Sequence, residues 1–231
     1  MFRTLAIIIA LAASAISSMN TAFDPTDQSK VAGLTAVRPA ERAIRFSPTT
    51  EIHMADEAEE APAAPTLTSD EQEVVDWTRG RFDKAGLELP DIAVWFDPTR
   101  ELCRNNEGLY HRGPDGIHQV FVCTRDSDTF AAELERRRTL LHEFGHVWDT
   151  VNLDDEQRGQ LSYLLGTSDW YDQEAEWSDR GVERFAESFV LTLLDQPARQ
   201  LKVDTRCADL VAAFTAATAA VPLGPGEQWC L

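Results

Sequence analysis

Basic residues are scarce in this chain of 231: 21 Lys and Arg stand against 39 Asp and Glu, for a formal charge of −18. That charge repels phosphate backbones and anionic lipid, which excludes nucleic acid as a partner and makes a neutral or basic polypeptide the easier one. Cysteine is sparse too, with four residues. Cys103, Cys123, Cys207 and Cys230 lack the spacing of a zinc knuckle, and an even count in an exported chain predicts disulfides. The expected pairs are Cys103 with Cys123, across a hairpin, and Cys207 with Cys230, tying the C-terminal tail to the last helix. No internal repeat is present.

Long apolar runs are also missing. Leu5 to Ile16 is too short to cross a bilayer comfortably but has the length of a signal-peptide core, preceded by Arg3 and followed by small residues at Ser17, Ser18 and Ala22. Residues 1–21 are therefore expected to be a signal peptide, with an uncleaved anchor as the alternative. No cysteine follows closely enough for lipid attachment. The mature protein is expected to be secreted, extracellular or periplasmic, with no membrane association after cleavage. Residues 22–68 are poor in aromatics and rich in Ala, Pro, Thr and acids, as in Asp56-Glu57-Ala58-Glu59-Glu60-Ala61-Pro62. Such a composition buries too little apolar surface to offset the entropy of ordering, and reads as a flexible linker or a propeptide. Residues 69–231 are the size of one domain, expected as a monomer.

Of only five histidines, two stand in His142-Glu143-Phe144-Gly145-His146. On a helix, residues four apart lie on one face, so both imidazoles can meet one zinc ion. Glu143 projects about 100° away, where a carboxylate can take a proton from activated water. Leu140, Phe144, Val147, Trp148 and Val151 fall on the opposite side and are expected to anchor the helix. A catalytic zinc site needs a third protein ligand. Glu183-Arg184-Phe185-Ala186-Glu187 lies within an apolar segment, and its two carboxylates again share a face one turn apart. In so apolar a setting they need a partner. One is expected to bind the ion and the other to accept a hydrogen bond from a ligand imidazole, and spacing alone does not say which.

HEFGH followed by a helix bearing ERFAE resembles the gluzincin zinc metallopeptidases. The FAESF stretch is similar to the catalytic domain of anthrax lethal factor and related small bacterial peptidases. The resemblance covers residues 139–149 and 182–191. It implies a zincin-like helical core, one zinc ion held by His142, His146 and Glu183, Glu143 as general base, and Glu187 orienting a ligand histidine from behind. It also implies an oxyanion-stabilising Tyr or His across the cleft. Tyr171, upstream of the glutamate helix, is the best candidate, and Tyr163, His111 and His118 remain open.

The fold expected is α+β, a small antiparallel or mixed sheet packed on helices. Helices are expected over Asp70 to Ala85, Thr129 to Thr150, Asp154 to Leu165, Gly181 to Leu194 and Thr205 to Ala220. Strands are expected over Ile92 to Phe96, Leu109 to Arg112 and Ile117 to Cys123, the last two joined by the turn Gly113-Pro114-Asp115-Gly116. Either Leu109 to His111 or Val120 to Val122 is a candidate cleft-edge strand for an extended peptide. The acids Asp169, Asp172, Glu174, Glu176 and Asp179 read as a solvated loop, with calcium binding or selection of basic side chains as alternatives. Arg136 to Arg138 is expected to pair with acids on the surface. Together these readings predict a secreted zinc metallopeptidase acting on a peptide or protein. The alternatives are a catalytically silent zinc-stabilised binding module and a zinc amidase acting on cell-wall peptides.

Overall fold

The protein, in a computed structural model, is described for residues 66–97, 99, 101–103, 106–124, 130–172, 174–196 and 201–224. The expected signal peptide, nearly all of the linker and Cys230 lie outside them. Five helices and three strands follow in the order α1 (Ser69–Ala85), β1 (Ile92–Phe96), β2 (Gly108–Arg112), β3 (His118–Val122), α2 (Phe130–Asn152), α3 (Asp155–Leu165), α4 (Gly181–Leu193) and α5 (Cys207–Thr218). A 3-10 turn, Trp177–Asp179, precedes α4. Among the described residues no helix is long and apolar enough to cross a membrane.

Local chemistry accounts for the helix ends. Thr68 and Glu71 form a reciprocal capping box at the start of α1, and Asp154 with Gln157 does the same for α3. The sheet is mixed, in the order β1-β3-β2: β2 and β3 are the antiparallel hairpin, and β1 joins β3 in parallel. β3 is therefore central and buried along its length. This corrects one of the two candidate edges: Val120 to Val122 has neighbours on both sides, while β2 keeps a free edge among the described residues.

Each face of the sheet has its own core. Val94, Val120 and Val122 pack with the helices, whereas Trp95 and Phe121 stack 4.9 Å apart on the other face, beside Cys103 and Cys123. Those two cysteines form the expected disulfide, closing the smaller core. Cys207 is disulfide-bonded as well; its expected partner, Cys230, is outside the described residues.

Helix α2 is anchored by Leu140, Phe144, Val147 and Trp148, all buried. Val151 is not part of that anchor: it lies in the last turn of α2 and is 51% exposed. Phe189 of α4 stacks on Phe82 of α1 at 5.4 Å and meets Phe185 and Phe214 edge to face, so α4 lies at the centre of the helical layer. The closest passage of α2 against α4 is at Gly145. A Cβ there would stand 3.1 Å from Ala186 Cα and 3.3 Å from its carbonyl oxygen.

Gly145→Ala should consequently push α4 away and destabilise the protein by about 1–3 kcal/mol, as overpacking does. Urea denaturation measures this, and an unchanged midpoint would show that the crossing is not tight.

Candidate metal centre

The α2–α4 crossing sets two ligand-bearing faces against each other. His142 and His146 project from α2, Glu183 and Glu187 from α4. His142 Nε2 lies 3.0 Å from Glu183 Oε2 and 3.1 Å from His146 Nε2, and His146 Nε2 lies 3.3 Å from the same carboxylate oxygen. A tetrahedral ion with bonds of about 2.0–2.1 Å to nitrogen and oxygen has ligand–ligand edges of about 3.3–3.4 Å. The three observed edges nearly match it, so His142, His146 and Glu183 can hold one metal ion. They are the one such group of three or more His, Cys, Asp or Glu side chains among the described residues.

Glu187 stands behind this triangle. Its Oε2 is 3.2 Å from His142 Nδ1, the ring nitrogen turned away from Glu183. The other oxygen accepts from Arg138 Nη2 at 2.6 Å and from the backbone N–H of Lys202 at 3.1 Å. Arg138 is thus no surface partner of exposed acids alone: it is 8% exposed and compensates a carboxylate that is 1% exposed. The other residues of the arginine run differ, Arg137 pairing with Glu133 on the helix surface. The geometry separates two glutamates that spacing left equivalent, with Glu183 at the convergence point and Glu187 holding His142 from the rear.

Electrostatics follow from this crowding. Burial alone would lower the His142 pKa, but hydrogen bonds to Glu183 and Glu187 outweigh it and raise the value to about 10. Glu187 is likewise pushed up by burial and brought down, to about 2, chiefly by His142 and Arg138. Burial would also raise Glu183, yet the two histidines hold it well below the ordinary carboxylate range. The pocket thus demands positive charge between His142 and Glu183, and a metal cation would supply it in place of the imidazole proton. Glu143, 6% exposed, is raised by its burial against the pull of His142 and His146. Gly108 of β2 makes room for it: a Cβ there would collide with Glu143 Oε1 and stand 2.6 Å from Thr139 Cγ2.

The centre opens onto a cavity of about 590 Å³. One wall is the β2 edge, Gly108 to Tyr110; the opposite wall carries Tyr171, Trp177, Arg180 and Val182. Tyr171 therefore lies at the cavity, where burial and Asp149 raise its pKa to about 12 and keep it a hydrogen-bond donor. The other open candidates do not. Tyr163 is 79% exposed on α3, and His111 is exposed on the face of β2 turned from α2. His118 is buried, its Nδ1 2.9 Å from the Tyr110 hydroxyl, and burial lowers its pKa.

Tyr110, within one of the two candidate cleft-edge strands, lies parallel to the His146 ring at 6.5 Å. Two cavity residues went unread in the sequence: Trp177, which stacks on His142 at 5.6 Å, and Lys202, which pairs with Glu107. No local pattern marks them. The acids of that loop serve turns. Asp169 and Asp172 accept from backbone N–H groups two or three residues on, and Asp179 pairs with Arg184 at 2.6 Å. None of the five lines the cavity.

Compared with known protein families, with curated proteins and with solved structures, the chain matches none.

The His142 shift has a signed consequence. Its folded pKa, about 10, lies above the unfolded value of about 6.5, so in metal-free protein the stabilisation is full below pH 6.5 and is lost as pH rises through 10. Metal binding at pH 7.5 must then expel about one proton per ion from His142. Calorimetry in buffers of different ionisation enthalpy reads this release; an apparent enthalpy independent of buffer would contradict it.

Proposed function

We propose that the protein is a secreted zinc peptidase of the gluzincin type, with a zincin-like core. The observation that carries this is the convergence of His142 Nε2, His146 Nε2 and Glu183 Oε2 within 3.0–3.3 Å on the wall of an open cavity, beside the buried Glu143. Two imidazoles and one carboxylate suit zinc better than calcium or magnesium, which prefer oxygen throughout. Three protein ligands leave a coordination position free, the arrangement of catalytic rather than structural sites. A zinc ion held by His142, His146 and Glu183 would supply a Lewis acid for a carbonyl oxygen and a bound water with a pKa of about 7.

The side chains divide the remaining work. Glu143, whose buried carboxylate has a raised pKa and so a stronger pull on a proton, takes one from the attacking water and returns it to the leaving amine. Tyr171 donates to the oxygen on which charge develops. The backbone of β2 holds the polypeptide. Glu107 O accepts from Cys123 N, and Gly113 N donates to Ile117 O, which fixes the phase of the antiparallel ladder. By alternation, the N–H and C=O groups of Gly108, Tyr110 and Arg112 face outward from the free edge, available to an extended chain. The Cys103–Cys123 disulfide supports residence in an oxidising compartment, in keeping with export.

Glu143→Gln keeps the shape of the side chain and removes the base. Zinc-loaded variant should retain one ion per chain and cleave an unbiased peptide mixture at least about 10²-fold more slowly than wild type, both chelator-sensitive. Equal turnover would assign the base elsewhere. Zinc binding with no cleavage by wild type would favour a binding module.

A further inference from the structure

Large apolar side chains stand exposed at several scattered points among the described residues, but Tyr171 at 52% and Trp177 at 37% are the two that line the cavity. Both come from the segment between α3 and α4, and that segment is firmly tied down. Asp149, 2% exposed and one turn beyond His146, accepts from Trp170 Nε1 at 3.1 Å and from Arg158 Nε at 2.8 Å. The Arg158 guanidinium lies 5.7 Å above the Tyr171 ring. Arg180 donates to Ala175 O, and Arg184 to Ser178 O, on either side of Trp177. Trp170 itself is buried against Phe185.

A loop with this many anchors presents its aromatics in fixed positions, and exposed aromatic surface is costly unless something covers it. Trp177 stacks against His142, so what lies on its free side is adjacent to the metal-binding group. Resting on the peptidase reading above, we infer that Trp177 and Tyr171 form a subsite for a large apolar, preferably aromatic, side chain next to the scissile bond, with Trp177 setting the preference. Charge does not favour a cationic guest: none of the loop acids lines the cavity, its four glutamates include Glu107 and Glu187, already paired with Lys202 and Arg138, and Arg180 lines it as well. An acidic guest has less to gain, because Lys202 is already paired with Glu107 and Arg138 with Glu187.

The test uses zinc-loaded full-length protein and a peptide series varying one residue among Phe, Leu, Ala, Lys and Glu on either side of the cleaved bond. Wild type should favour Phe over Ala in kcat/KM, and Trp177→Ala should shrink that ratio by about 10-fold or more, with Trp177→Phe restoring most of it. A second arm measures peptide binding to zinc-loaded Glu143→Gln by calorimetry, where the Phe preference and its dependence on Trp177 should reappear. Cleavage without side-chain preference, a preference for Lys or Glu, or a Phe-to-Ala ratio unmoved by Trp177→Ala would overturn the inference while leaving the peptidase reading intact. Absence of cleavage with the binding preference preserved would overturn the peptidase reading and leave the subsite. Loss of both would overturn the two together.

Discussion

Everything at this centre depends on how closely α2 and α4 cross. Two helices whose backbones approach at Gly145 and Ala186 bring into contact the side chains next to that point and one turn before it, His146 and His142 on one side, Glu187 and Glu183 on the other. A side chain at residue 145 would separate the helices by a few tenths of an ångström at least. The ligand edges of 3.0–3.3 Å leave little slack for that. The aromatic packing of Phe82, Phe185, Phe189 and Phe214 around α4 makes the crossing rigid, so the ligands are held by the core rather than by their own mutual attraction.

The same crossing sets the charge balance. Three carboxylates, Glu143, Glu183 and Glu187, surround two imidazoles in a buried corner. Isolated charges there would be very costly. Arg138 offsets Glu187, and the convergence point between the histidines and Glu183 takes the rest. A divalent cation makes the set of three carboxylates, one guanidinium and one ion electrically neutral.

The metal face was legible in the sequence because it rests on helical periodicity alone: residues four apart share a face whatever the tertiary structure does, and both His142/His146 and Glu183/Glu187 obey this. Helix ends were legible to within a few residues, and the structure closes them with the capping residues Thr68 and Asp154 and with a left-handed Gly86 after α1. What failed required knowledge of neighbours. Hairpin signals paired β2 with β3 but said nothing of β1 joining β3 in parallel, so which strand lies at the edge stayed open. Arg138 read as a surface residue because its buried partner lies 49 positions away. Val151 matched the apolar face, yet it is 51% exposed in the last turn of α2, which periodicity alone does not reveal. Trp177 and Lys202 reach the cavity only through chain segments that meet in the fold, as with Lys202 and Glu107, 95 residues apart.

Whether one metal ion sits at the meeting point of α2 and α4, bound through three side chains with a position left open, is read by anomalous diffraction at the zinc absorption edge from crystals of zinc-loaded protein. A single strong peak is expected within about 2.0–2.2 Å of His142 Nε2, His146 Nε2 and a Glu183 oxygen, with Glu187 still against His142 Nδ1. A peak elsewhere in the molecule, or an ion enclosed by four protein ligands including Glu187, would contradict it.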